Sequence, residues 1–249
     1  WIQYPDSVGN STYNALQLKL ERRFATGFTV LAGYTYGKSI DDTSGLRPGG
    51  GDTLFVNNPA CVNSCERARS GFDTKQRFVA SGLYELPIGR GANSWAKRML
   101  LAGWQLGAIV TLESGLPATP SAGFDVPNVG VGTGQRPNAT GVSTNLGSNR
   151  SVGRFFNTGA FTAQPLYVYG NAGRNVIEGP GIINADVSAV KPFQFSESKH
   201  LELRAEVFNF ANHPIFGFPA TNLRSAAYGK LTGTRIDSRQ IQLAARFVF

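Results

Sequence analysis

Two cysteines, Cys61 and Cys65, stand four residues apart in a loop rich in Gly and Asn. With no histidine nearby they cannot complete a tetrahedral zinc site. A small local disulfide is the favoured reading and implies an oxidising compartment, with two free thiols as the alternative. Neither histidine, His200 or His213, has a carboxylate–His–Ser spacing around it, and acid–base catalysis needs paired groups within reach. Glu202, Arg204 and Glu206 recur at every second residue. Cross-strand charge pairing in a sheet accounts for them better than a catalytic carboxylate pair. The run Gly130-Val131-Gly132-Thr133-Gly134 leads into neither a helix nor a Gly-Lys-Ser/Thr, so it reads as loop punctuation and not as a phosphate loop. Asn-X-Ser/Thr triplets at Asn10, Asn138 and Asn149 are too weak a pattern to carry weight. The expectation is a non-enzyme without cofactor or metal.

The elements that hold these groups repeat with a period of 2, which is the spacing of a strand with two unlike faces. Residues 239–249 put Ile241, Leu243, Ala245, Phe247 and Phe249 on one face, and Gln240, Gln242 and Arg246 on the other. From Lys199, Leu201, Leu203, Ala205 and Val207 alternate with His200, Glu202, Arg204 and Glu206. Residues 12–23, 27–39, 76–86, 104–114 and 182–193 follow the same rule. This predicts seven long strands. Their polar face carries Arg77, Glu85, Glu113, Asp186, Glu202, Arg204, Glu206 and Arg246. A sandwich core could not hold those charges unpaired, whereas a watered or plugged barrel lumen can.

Between the strands, short and long connections alternate: 24–26, 40–75, 87–103, 115–181, 194–198 and 212–237. In an up-and-down sheet this sends the short turns to one end and the long loops to the other, which is the layout of a transmembrane β-barrel. The aromatics agree. Phe28, Trp104, Phe193 and Phe249 fall at the turn end, and Tyr34, Tyr36 and Phe78 at the loop end, as two interfacial belts would require. On the apolar face the only charges, Arg22, Lys191 and Arg239, sit at strand ends, where long side chains reach water. The predicted fold class is therefore all-β, an antiparallel up-and-down transmembrane barrel segment.

Composition supports this. Only 16% of the 249 residues are charged, against roughly 25% in soluble domains, and no apolar run approaches the roughly 18 residues of a membrane helix. The net charge of +8 comes from scattered residues such as Arg22-Arg23 and Lys97-Arg98, which argues against a nucleic-acid footprint. The chain opens at Trp1 without an initiator Met or a signal segment, which reads as a fragment of a longer protein.

Several phrases carry a resemblance: Tyr13-Asn14-Ala15-Leu16-Gln17; Tyr34-Thr35-Tyr36-Gly37-Lys38-Ser39-Ile40-Asp41-Asp42; Gln76-Arg77-Phe78-Val79 leading to Tyr84-Glu85-Leu86-Pro87-Ile88-Gly89; Gly103-Trp104-Gln105-Leu106; Ser114-Gly115-Leu116-Pro117; and Arg204-Ala205-Glu206-Val207-Phe208-Asn209-Phe210-Ala211-Asn212-His213-Pro214. In this order they resemble the C-terminal part of a TonB-dependent outer-membrane receptor of the type with a carboxypeptidase-regulatory-like N-terminal domain. The end of the chain, with Gln242, Ala244, Phe247 and Phe249, resembles the signal read by the barrel assembly machinery, although the small residue there is usually Gly. The resemblance implies a plugged barrel of about 22 strands, of which residues 1–249 would be the last seven, in the outer membrane of a Gram-negative bacterium. It implies uptake of a bulky solute such as a siderophore or a glycan. Its partners would be outer-membrane lipid, the chain's own N-terminal plug, the TonB energy-coupling complex reached through the missing N-terminus, and the assembly machinery, with no nucleic acid. The alternatives are an adhesive or structural outer-membrane barrel with binding loops, and a secreted carbohydrate-binding β-sandwich.

Overall fold

A computed structural model describes residues 9–25, 27–44, 56–89, 91, 93–130, 135–196 and 198–249. Residues 131–134 of the glycine run lie outside the described residues. Seven long strands form one antiparallel sheet in sequence order: β1 Ser11–Ala25, β2 Phe28–Asp41, β3 Gln76–Glu85, β4 Gln105–Glu113, β5 Ile182–Gln194, β6 His200–Phe208 and β7 Gln240–Val248. Each reaches the roughly 9–11 residues that a tilted strand needs to cross a bilayer. Each pairs only with its sequence neighbours among them, and β1 is not bonded to β7. The sheet is thus an open wall, up and down, as the alternation predicted.

The register joins the apolar residues of all seven strands into one face. Leu18 stands opposite Tyr34, and Tyr34 opposite Phe78. Phe78 pairs with Leu112, and Leu112 with Ile183. Further along, Ala189 pairs with Ala205, and Ala205 with Leu243. A slip of one residue at any interface would turn a whole apolar set to the wrong side, so this continuity marks a face under a single constraint. Leu18, Leu20, Leu106, Ile183, Leu203, Ile241 and Leu243 are all exposed on it.

Three features depart from the sequence reading. First, residues 87–103 contain a short helix, Trp95–Leu101; the apolar spacing of seven residues is too brief to announce a helix against a period-2 background. Second, the polar face is not polar throughout. Leu31, Leu83, Ile109 and Phe208 line a concavity of about 390 Å³ with Ser81, Asp186, Ser188 and Glu206. Third, Lys191 does not extend to water. It is buried, its Nζ donates to the carbonyls of Ala102 at 2.5 Å and Pro192 at 2.9 Å, and it lies 4.7 Å from the centre of the Phe193 ring. Two carbonyls and a ring face replace its hydration.

The core sits outside the sheet. The ends of β1, β3 and β5 that lead to β2, β4 and β6, with the helix Trp95–Leu101, share one end of the sheet. The described parts of the connections 42–75, 114–181 and 209–239 share the other, where they fold together as a cap. Ala118, Phe156, Ala160, Phe161, Ala172 and Ile177 form its centre, with Leu223 and Tyr228 packed against them. Two-residue ladders stitch Pro117–Ala118 to Ile177–Glu178 and Asn138–Ala139 to Phe161–Thr162. Phe156 meets Phe161 and Tyr228 edge to face.

Candidate functional site

Along the polar face the charged side chains pair as cross-strand or i,i+2 neighbours. The Nε of Arg77 donates to Glu113 Oε1 at 2.7 Å, across a pair the register places directly opposite. Glu85 accepts from Gln105 Nε2 at 3.3 Å. Asp186 Oδ1 accepts from Asn184 Nδ2 at 3.0 Å and from the Asn209 backbone N–H at 2.9 Å. Arg204 sits between Glu202 at 3.1 Å and Glu206 at 3.7 Å, and Arg246 stands across from Glu202 in the register. These groups are therefore spread over β3 to β7 and not gathered into one cluster. They offer a hydrogen-bonding surface, on which Arg77, Glu85, Glu113, Asp186, Glu202, Arg204 and Glu206 are held by neighbours.

The cap is joined to this same face at the end of β2. Ser39, on the polar side of β2, donates its backbone N–H to Asp73 Oδ1 at 2.7 Å, and its hydroxyl meets that of Ser70 at 2.7 Å. Arg69 donates to Asp73 at 2.8 Å. Deeper in, Arg136 forks onto Glu66 with Nη1 at 2.6 Å and Nη2 at 2.9 Å, both side chains being buried. Arg174 binds the carboxylate and the carbonyl of Asp41, the Glu66 carbonyl at 3.0 Å and Ser44 at 3.1 Å. It thereby ties the end of β2 to two different loops. Asn57 accepts from the Arg136 N–H at 2.9 Å, and Asn175 donates to the Arg69 carbonyl at 2.7 Å while its own N–H goes to Thr119 Oγ1 at 3.0 Å. Gly170 lies so close to residues 136 and 137 that a Cβ would stand 1.9 Å from the Arg136 carbonyl oxygen, so only glycine lets these chains pass. The third loop joins through Ser121 N–H to Thr221 O at 3.0 Å and Phe155 N–H to Gly229 O at 2.7 Å.

Buried amides remain inside the cap. Among the described residues, the side chain of Gln164 and Oε1 of Gln135 meet no hydrogen-bond partner, although buried polar groups ordinarily find one in protein or water. On its outer surface Leu166, Tyr167 and Val168 are exposed, Tyr167 at 74%. Tyr167 also has φ 65°, a strained value for a bulky residue, and is held there by its N–H to the Val126 carbonyl at 3.0 Å.

Cys61 and Cys65 are joined as a disulfide with Cα atoms 5.4 Å apart, next to Glu66 in the first loop. At the turn end Phe28 packs edge to face on Tyr84 at 6.1 Å. Trp104 donates to the Leu100 carbonyl at 3.2 Å. Phe247 stacks on Phe249 at 6.3 Å and lies 6.5 Å from Phe195. Tyr34 faces Phe78 at the loop end, with Tyr36 opposite Gln76 beside it. Gln242 lies on the polar face opposite Glu206, and Ala244 opposite Arg204.

Asp41, Glu66, Arg136 and Arg174 escaped the sequence reading. None of them stands in a recognisable site motif, and Arg136 meets a partner 70 residues away. No local spacing signals such a contact. Among the described residues, no group of three His, Cys, Asp or Glu is placed to hold a metal.

The profile of one family, described as outer membrane beta barrel domain, matches residues 1–242. No curated protein and no solved structure matches the chain.

Proposed function

The chain belongs to the outer membrane beta barrel domain family, its place is the outer membrane of a Gram-negative bacterium, and from that premise we propose that it is a C-terminal wall segment of a TonB-dependent receptor that takes up a bulky solute. In outer-membrane barrels the short turns face the periplasm and the long loops the exterior. The cap is then external, and the polar face with its paired charges lines the lumen beneath it. The observation that carries the reading is that three loops, from Asp41 to Leu231, share buried contacts through Arg136, Arg174 and the Phe156 cluster. A barrel that serves only as an anchor does not need loops folded over its mouth. The recurring receptor phrases along the chain support the TonB assignment.

The exposed Leu166-Tyr167-Val168 segment favours a second reading, in which the cap adheres to surfaces and no transport follows. Its strained Tyr167 backbone is the kind of feature found at binding sites. One experiment separates the two. Purified full-length protein in detergent is mixed with the purified periplasmic domain of TonB and chemically cross-linked. A specific cross-linked complex, lost on deleting the TonB box that this reading requires, supports the receptor. Absence of any complex, with the cap intact by protease resistance, leaves the adhesive barrel.

A further inference from the structure

The helix Trp95–Leu101 is not needed to join β3 to β4, since Glu85 and Gln105 are register partners and the equivalent β1–β2 connection takes two residues. At 100° per residue, Trp95, Met99, Ala96 and Leu100 fall within one arc, and Lys97 and Arg98 lie outside it, with Leu101 between them. Three of the four residues of this arc, Trp95, Ala96 and Leu100, are exposed, and Met99 is half-buried. Trp95 is 74% and Leu100 63% exposed, and the neighbouring Ile88 is exposed as well. Seven residues do not hold a helix in water unaided, so the segment is fixed by its surroundings. Gly89, at φ 76°, lets residues 88–89 press on Leu101 and Ala102, where a Cβ would stand 2.7 Å from Leu101 Cβ.

The helix is fastened to a particular side of the wall. Lys191 belongs to the apolar face, opposite Leu203, and its ammonium is bound to the carbonyl of Ala102, just beyond the helix. Trp104 reaches back to the Leu100 carbonyl. The helix is thus fastened on the side of the face that carries Phe28, Tyr84 and Phe193, at the end where these aromatics lie. The described residues at this end also include the basic Arg22, Arg23, Lys97, Arg98 and Lys199, a charge sign matched to lipid phosphates.

We propose that residues 95–101 form an in-plane membrane anchor, with Trp95 and Leu100 seated among the phospholipids of the periplasmic leaflet and Lys97 at their phosphates. This rests on the barrel orientation proposed above but not on transport. The anchor fixes the depth of the wall at its turn end.

The full-length protein is reconstituted in nanodiscs of phosphatidylethanolamine and phosphatidylglycerol. Spin labels are placed in turn by Trp95→Cys, Lys97→Cys and Leu100→Cys, with Val110→Cys as a wall reference, while the Cys61–Cys65 disulfide takes no label. Collision with dissolved oxygen is compared with collision with a water-soluble nickel chelate. The expected oxygen-to-nickel ratio is several-fold higher at 95 and 100 than at 97, and intermediate between the ratios at 97 and 110. Equal, water-like ratios at 95, 97 and 100 with a lipid-like ratio at 110 would overturn the anchor and leave the barrel standing. A water-like ratio at 110 would overturn both.

Discussion

Arg136 and Glu66 are withdrawn from water together, so each compensates the other's charge. Removing one partner of such a pair leaves an uncompensated buried ion and costs about 3–5 kcal/mol. Arg136→Ala is expected to destabilise the cap by that amount, seen as earlier loss of loop protection in urea while the heat-resistant migration of the barrel persists. Tyr228 gives the cap a pH limit. Burial pushes its phenol up to about 12, its ring packed on Phe156. The unfolded phenol ionises near 10. Below pH 10 both states are neutral and the stability is fully present; between 10 and 12 only the unfolded form ionises, so stability falls as pH rises. Ultraviolet titration at the phenolate band should show one late tyrosine that Tyr228→Phe removes. Phe249 is 89% exposed beyond Phe247, so its side chain contributes little to the finished wall. Deleting it in the full-length protein should lower the amount reaching the outer membrane, measured by immunoblot of membrane fractions, with the arriving molecules still heat-resistant. Unchanged membrane levels would remove its role as an assembly signal.

At the scale of strands the account rests on which face meets lipid. Val110 sits mid-strand on the apolar face, between Ala80 and Ala185; Thr111 is its neighbour on the polar face. Val110→Arg should cost about 2–4 kcal/mol in a lipid-reconstituted unfolding titration, as for a cation near the bilayer midplane, and Thr111→Arg far less. The strands were legible because a membrane wall has two solvents and each strand writes both of them into alternate residues. Leu16-Gln17-Leu18-Lys19-Leu20-Glu21 and Leu201-Glu202-Leu203-Arg204 state their faces without any knowledge of their partners. The helix at Trp95 was not legible, because its seven residues take their conformation from Gly89, Trp104 and Lys191 around them. Lys191 itself reads as a snorkelling cation by position; only the fold reveals that the Ala102 carbonyl comes to it.

For the whole molecule, the division between wall and cap explains where sequence reasoning stopped. The wall is built from neighbours in sequence, and its contacts follow from pattern. The cap is built from single residues of three loops, such as Asp41 with Arg174 and Asn57 with Arg136, at separations that no periodicity encodes. The candidate site was therefore half legible: the polar-face charges from Arg77 to Arg246 lie on one face as their alternation requires, whereas the buried pairs of the cap do not show in spacing.

The most direct test of the account is lipid capture along β4 in intact cells. A photoreactive benzoylphenylalanine is placed singly at each position from 105 to 113 of the full-length protein, and cross-links to phospholipid or lipopolysaccharide are counted after irradiation. The account predicts capture at 106, 108, 110 and 112 and none at 107, 109 and 111. Capture without that alternation, or capture at the odd positions, would contradict it.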